Sequence, residues 1–131
     1  MKLRIILCCE TCILDARTNT VSCINLIEEM NSPQFPFLIP QFSVFALFEK
    51  EGTDTVSQSC EIKICVGTQE LARGPLEVGF ESGWLHRTMV SFQGLIIPTV
   101  GQLEVSIESD GKLMGDWKMP VTQAQTEPNL E

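Results

Sequence analysis

The chain of 131 residues carries 9 basic and 17 acidic side chains, and this net charge of −8 argues against nucleic acid and anionic membranes, whose recognition depends on lysine and arginine. Hydrophobic residues make up 44% of the chain and charged residues 20%, which excludes a disordered protein and fits one folded domain. We therefore expect neither nucleic acid nor membrane as a partner, and the acidity itself is explained by solubility.

Apolar and polar side chains alternate with a period of two along the chain, and no helical pattern of convincing length appears. In chain order, the predicted strands cover residues 3–9, 21–27, 41–49, 59–66, 76–80, 88–97, 103–108 and 112–121. Short strands at this spacing predict an all-β fold, an immunoglobulin-like antiparallel sandwich of seven or eight strands. Residues 1–121 form the single predicted domain, and the polar residues 122–131 form a flexible tail.

The first predicted strand follows a basic start that superficially resembles a secretory signal. Its apolar run begins at Ile5 and meets Glu10 almost at once, whereas a signal core needs roughly 7–15 apolar residues. Without an export signal, the six cysteines at positions 8, 9, 12, 23, 60 and 65 are interpreted as reduced thiols of a cytoplasmic protein.

The segment at residues 31–40 contains three prolines between aromatic and aliphatic side chains. Because proline cannot donate a hydrogen bond to a neighbouring strand, this segment is predicted to be an extended crossover between sheets. The following residues 41–49 are apolar on both faces, which predicts a central strand covered from both sides.

The last two predicted strands form a hairpin. Asp110 and Gly111 separate them, and Asp-Gly adopts the positive φ angles of tight hairpin turns. In the returning strand, Leu113, Trp117 and Met119 share one parity, which predicts that they lie on one face.

The order of these elements resembles a known family. A strand ending in Gln-Gly-Leu at residues 93–95 is followed by Pro98, by a strand starting at Gly101 and by the Asp-Gly hairpin. Together with the proline-rich crossover, this resembles a family of small uncharacterised bacterial β-sandwich proteins over roughly residues 3–121. The resemblance implies a sandwich fold and a cytoplasmic setting, and it attaches no activity to the chain.

Cys9 and Cys12 have the Cys-x-x-Cys spacing that supplies half of many tetrahedral zinc sites. A second close pair is hard to find, because Cys23 and the later cysteines are scattered and the lone histidine, His86, lies in a distant segment. We therefore predict buried strand cysteines, with no metal and no cofactor.

Two apolar segments outside the predicted strands are typical of an interaction surface, and they contribute Phe35, Phe37, Trp84 and His86. The function predicted from them is a non-catalytic protein-interaction or scaffold domain, with self-association through an edge strand as one form of partner binding. The same segments could instead fold over the open ends of the sandwich.

The alternative function is a thiol-dependent or metal-assisted enzyme in which Cys12 or Cys65 acts with His86. A thiol near neutral pH needs a neighbouring base to be mostly thiolate, and nothing in the sequence places these groups together. The chain is therefore not predicted to be an enzyme.

Overall fold

The computed structural model describes residues 1–52, 57–81 and 83–125, in which nine strands form two sheets. The first sheet contains, in spatial order, β2 (Thr20–Leu26), β1 (Lys2–Asp15), β4 (Phe37–Glu49) and β7 (Leu85–Ile97). The second sheet contains β3 (Met30–Ser32), β9 (Lys112–Gln123), β8 (Gly101–Ser109), β5 (Ser57–Val66) and β6 (Gln69–Gly79). Neighbouring strands are antiparallel except for the parallel pair β3 and β9.

The two sheets pack face to face, which confirms the predicted all-β sandwich. The strand count is nine instead of seven or eight, because the three-residue β3 lies beside the end of β9. The immunoglobulin-like label stays a prediction. No helix that is long and apolar enough to cross a membrane occurs in the described ranges.

The hydrophobic core lies between the sheets and consists of alternate residues from facing strands. In β5 the inward side chains are Cys60, Ile62, Ile64 and Val66, as the alternation predicted, and Cys65 lies on the opposite face. The largest fully buried side chains of the core include Phe42, Phe48, Phe80, Ile97, Leu103, Ile107 and Met119.

β4 is buried on both faces. Phe42, Val44 and Ala46 belong to the core between the sheets, and Ser43 and Phe45 on the other face are buried as well. This confirms the predicted central strand that is covered from both sides.

The prediction that residues 31–40 form an extended crossover between sheets holds only for residues 33–36, because Asn31 and Ser32 belong to β3 of the second sheet and β4 of the first sheet begins at Phe37 and contains Pro40. Pro40 lies opposite Gly94 of β7, between the register pairs 39–95 and 41–93, and the two are not themselves a register pair. Gly94 has a φ of +75°, in the left-handed region that glycine adopts without steric cost. Both strands kink at this point, since in β7 the side chains that pack against the core also change parity, from Val90 and Phe92 before Gly94 to Leu95 and Ile97 after it.

The kink changes which side chains of β4 face the core. Ile39 packs against the core before the kink, and Phe42 points into the core after it. In a regular strand two residues that are three positions apart would point to opposite faces. Leu38 therefore points outward beside Ile96 of β7, and the two side chains are 58% and 57% exposed.

The hairpin turn between β8 and β9 has the predicted conformation. Asp110 and Gly111 have φ angles of 52° and 74°, so both central residues are left-handed, as this type of turn requires.

One side chain of β9 contradicts the predicted parity. A register shift leaves Met114 as an extra residue, so Leu113 turns to the outer face and is 55% exposed. Trp117 packs against the core and Met119 is fully buried. A bulge of one residue exchanges the two faces of a strand, which the alternation alone could not reveal.

The C-terminal strand continues into the segment that was predicted to be a tail from residue 122. β9 ends at Gln123, and the N–H of Ala124 donates a hydrogen bond of 2.9 Å to the backbone oxygen of Ser32. The rest of the predicted tail, residues 126–131, lies outside the described residues.

Candidate functional site

The β1–β2 hairpin extends beyond the sheet to which it belongs. β1 pairs with β4 only as far as Cys9, which lies opposite Ser43, whereas its pairing with β2 continues to Asp15. We call residues 10–25 the hairpin arm.

The hairpin arm bends back over the outer face of the first sheet. Ile5 of β1 and Arg87 of β7 lie at the same level, because both are in register with Leu47. If β1 were straight, Asp15 would lie about 33 Å from Ile5 along the strand, at roughly 3.3 Å per residue, and therefore far from Arg87. Arg87 instead donates hydrogen bonds to the backbone oxygen of Asn19, at 3.0 Å, and to its side-chain oxygen, in the turn that follows β1. The arm therefore covers the outer face of β4.

The bend occurs where Glu10 faces Asn25. Asn25 has a φ of 59°, a left-handed conformation that asparagine tolerates better than most residues, and its side-chain amide donates a 2.7 Å hydrogen bond to the Glu10 carboxylate. The buried hydroxyl of Ser43 donates to the backbone oxygen of Glu10 at 3.0 Å. These bonds hold the bend where the regular ladder is interrupted.

The bend brings three thiols together. The Sγ of Cys9, on the sheet, lies 3.4 Å from the Sγ of Cys12, on the arm. Cys23 faces Cys12 across the β1–β2 ladder, and the three sulfur atoms lie within 4.8 Å of one another. The expectation that Cys23 lies apart from the Cys-x-x-Cys pair is therefore wrong, because the hairpin pairs residues that are distant along the chain.

The environment of this three-thiol cluster favours neutral thiols in two of its members. Burial raises the pKa of Cys12 and of Cys23 above the ordinary thiol value, and the nearby Cys9 raises both further. Burial also raises the pKa of Cys8, whose side chain lies in the core. Such thiols are poor nucleophiles at neutral pH, but a thiophilic metal ion can still displace their protons.

Sequence reasoning missed the approach of Cys23 to the Cys9–Cys12 pair because it ended the first strand at residue 9. A usable signal was present in the four residues at 16–19, which separate two stretches of strand character. A hairpin centred there pairs Asp15 with Thr20 and, three residues further along each strand, Cys12 with Cys23.

A cleft of about 500 Å³ opens beside the bend. Where β1 leaves β4, residues 37–41 keep β7 on one edge and have no strand partner on the other edge in the part of the chain that the structure describes. The lining residues come from the bend, from the segment after β2 and from this free edge: Glu10, Asn25, Leu26, Ile27, Glu29, Ile39, Pro40 and Gln41. A free edge offers backbone N–H and C=O groups to another extended chain.

The surroundings of the cleft combine acidic and apolar groups. Glu10 and Glu29 supply carboxylates, and Glu28 lines an adjoining depression with Glu29. Leu26 lines both the cleft and the adjoining depression, and its side chain is 46% exposed. This combination fits an extended segment that carries basic and apolar side chains.

The structure separates the four side chains of the predicted partner surface. Phe35 and Phe37 are half-buried at the start of β4, where their ring centroids are 5.2 Å apart and both pack against the core. His86 faces Phe48 at the other end of β4, next to Trp84, which is 68% exposed. The two pairs therefore cannot form one continuous surface, and a partner role for each pair stays a prediction.

The structure does not assemble the thiol–imidazole pair of the alternative enzyme. The Nδ1 atom of His86 lies 2.9 Å from the backbone oxygen of Gly79, and its ring packs beside two phenylalanines. Cys65 lies on the outer face of the second sheet, and Cys12 contacts Cys9. Within the described ranges, no thiol lies within hydrogen-bonding distance of His86.

Thiol labelling of the native protein checks this description. We expect Cys65, which is half-buried, to react first at neutral pH. Cys8 and Cys60 should react at least about ten times more slowly, because burial restricts access to these two thiols and raises their pKa. Peptide mapping by mass spectrometry after timed alkylation measures the rates, and labelling in denaturant provides the control. Reaction of Cys8 ahead of Cys65 would contradict the assignment of faces.

A family model described as a family of unknown function (DUF6941) matches residues 4–122. Because this match spans most of the chain, the protein belongs to that family, which confirms the resemblance to a family with no attached activity. No curated protein matches the chain. Function therefore has to be argued from the geometry of the molecule itself.

Proposed function

We propose that this member of the DUF6941 family is a non-catalytic protein-interaction domain that binds a basic, extended segment of a partner protein along the free edge of β4. The observation that carries the proposal is the departure of β1 from β4 after Cys9, which leaves residues 37–41 open beside an acidic cleft.

Strand addition at this edge supplies both hydrogen bonds and apolar contact. Each main-chain hydrogen bond contributes about 0.5–1.5 kcal/mol net, and an outward side chain of the added strand can pack against Leu38. Leu38 lies at the edge, and Ile96 of β7 lies directly opposite it, one strand further in, so the two exposed side chains extend the apolar surface of the outer face. The free edge is only five residues long, residues 37–41, so we expect a weak and transient complex.

The charge around the free edge of β4 favours some binding partners over others. The protein has a net charge of −8, and Glu28 and Glu29 are exposed at the cleft. A basic segment gains attraction there, whereas a second copy of this chain would place acidic rims against each other. The charge therefore favours a basic partner over self-association through the edge, and over nucleic acid or membrane.

The proposal includes a cytoplasmic setting and the bacterial origin that the family resemblance implied. The thiol form of all six cysteines, which is the form that a reducing compartment maintains, supports the cytoplasmic setting, and the bacterial origin rests on the resemblance alone.

Peptide binding tests the proposal. We expect a fluorescent peptide of alternating lysine and valine to bind the native protein, as measured by anisotropy. A glutamate–valine peptide should bind at least about tenfold more weakly because its charge is reversed, and a lysine peptide interrupted by proline should do the same because it cannot complete a ladder.

Matched variants locate the site. The double variant Glu28→Lys/Glu29→Lys should weaken the basic peptide about tenfold, because reversal replaces two attractions of about 0.2–1 kcal/mol each with repulsions. Glu77→Lys/Glu81→Lys makes the same change of net charge near the opposite end of the sandwich and should bind the peptide with little loss. Equal losses in both variants would overturn the proposal, since the peptide would then respond only to overall charge.

Light scattering tests whether a second copy of this chain occupies the free edge of β4 instead. We expect the protein alone to be monomeric. A stable dimer that Leu38→Lys dissociates would assign the free edge to a second copy and would overturn the proposed binding of a foreign segment.

A further inference from the structure

We infer that Cys9, Cys12 and Cys23 form a binding site for one thiophilic metal ion, monovalent copper or zinc, which links the hairpin arm to the first sheet. This inference is independent of the proposed interaction function. It rests on three sulfur atoms that the bend and the β1–β2 ladder bring together.

The sulfur positions are close to those that one ion requires. Metal–sulfur bonds of about 2.3 Å in a trigonal or tetrahedral arrangement place the sulfur atoms roughly 3.8–4.0 Å apart. Cys9 and Cys12 are 3.4 Å apart, and all separations in the cluster are within 4.8 Å. Small side-chain rotations therefore suffice to complete the site.

The backbone preorganises the three donors. Cys12 and Cys23 are direct cross-strand partners, so the ladder sets their separation, and Cys9 is held by its register with Ser43 of β4. Cys9 is fully buried, whereas Cys12 and Cys23 are half-buried. An ion can thus enter from the arm side and be held on its inner side by a sulfur atom that water does not reach.

The donor set indicates the class of ion. Thiolates are soft ligands that select monovalent copper or zinc over magnesium, calcium and manganese. The described residues supply three sulfur donors to the cluster and no histidine or carboxylate. Monovalent copper is satisfied by three thiolates, whereas zinc takes a fourth ligand, commonly water, on its open side. Binding releases the thiol protons to solvent and transfers no electrons.

Competition titrations of the reduced full chain test the site. Monovalent copper and zinc are each titrated, without oxygen, against a coloured chelator of known affinity. We expect one equivalent of metal per chain in at least one of the two titrations. Single changes Cys12→Ser and Cys23→Ser should each weaken binding about 100-fold or more, since loss of an outer-shell partner alone costs about 10–100-fold. Cys65→Ser, which alters a thiol of the second sheet, should bind like the unaltered protein.

A stability measurement separates a folded site from adventitious thiol binding. Because an ion that binds only the native state stabilises it, metal should raise the Tm of the unaltered protein and of Cys65→Ser but not that of Cys12→Ser. Circular dichroism of each variant shows whether its sheets are intact. Metal binding that is equally tight in Cys12→Ser, or no binding of either metal above the level of the Cys12→Ser/Cys23→Ser variant, would overturn the site.

Discussion

Replacement of Phe42 with alanine is expected to lower the free energy of unfolding by about 3–5 kcal/mol. Phe42 is fully buried in the central strand β4 and belongs to the core between the two sheets. Removal of the ring leaves a cavity that its strand neighbours cannot fill, because they are held in register by β1 and β7. A domain of this kind has a total stability of about 5–15 kcal/mol, so the loss is a large fraction. Urea denaturation followed by tryptophan fluorescence measures it.

Leu113→Ala is the matched control for this measurement. Leu113 is exposed because of the bulge at Met114, so we expect its truncation to change stability by less than about 0.5 kcal/mol. If Phe42→Ala does not fold, Phe42→Leu retains most of the volume and should cost less than about 1.5 kcal/mol. A loss at Leu113 as large as that at Phe42 would show that the bulge is misplaced.

Gly94→Val is expected to destabilise the protein by about 1–3 kcal/mol. Gly94 has a φ of +75°, and a β-branched residue in this region is strongly strained. A Cβ atom at Gly94 would lie 3.9 Å from the nearest atom, the Cδ1 of Leu38, which is an ordinary contact, so the cost comes from the backbone and not from a clash. The midpoint of urea denaturation measures the change.

Two further substitutions isolate the backbone effect. Gly94→Asn should cost less than Gly94→Val, because asparagine tolerates a positive φ. Gly74 lies in β6 with no atom within 4 Å of its added Cβ and no positive φ, so Gly74→Val should be neutral within about 0.5 kcal/mol. Equal effects at Gly74 and Gly94 would show that the kink does not need glycine.

Much of the fold was predictable from local patterns. The alternation at residues 60–66 identified the inward face of β5 and placed Cys65 on the outer face, because neighbouring residues of a strand point to opposite sides. Asp110 and Gly111 identified their turn, because their backbone preferences act within a few residues.

Other elements depended on partners that local patterns do not show. Pro40 is accepted inside β4 because Gly94, far along the chain, kinks at the opposite position. β3 is a strand only because the end of β9 lies beside it. Leu113 left the predicted face because one extra residue entered the ladder with β8.

The candidate site was the least predictable part. The partner surface predicted at Phe35, Phe37, Trp84 and His86 is divided between opposite ends of β4, because the register of the β4–β7 ladder sets that distance. The sequence interpretation included binding through an edge strand, but it located neither the free edge of β4 nor its acidic cleft, since both arise where two strands part.

By itself, the sequence determined the acidic charge, the all-β class and the alternation that defines the inward faces, because each depends on residue type and near neighbours. Only the tertiary structure decided that Cys9, Cys12 and Cys23 meet and that one edge of β4 stays free. Both outcomes follow from the bend of the hairpin arm, which Arg87, Asn19 and Ser43 hold through contacts between residues far apart in the chain.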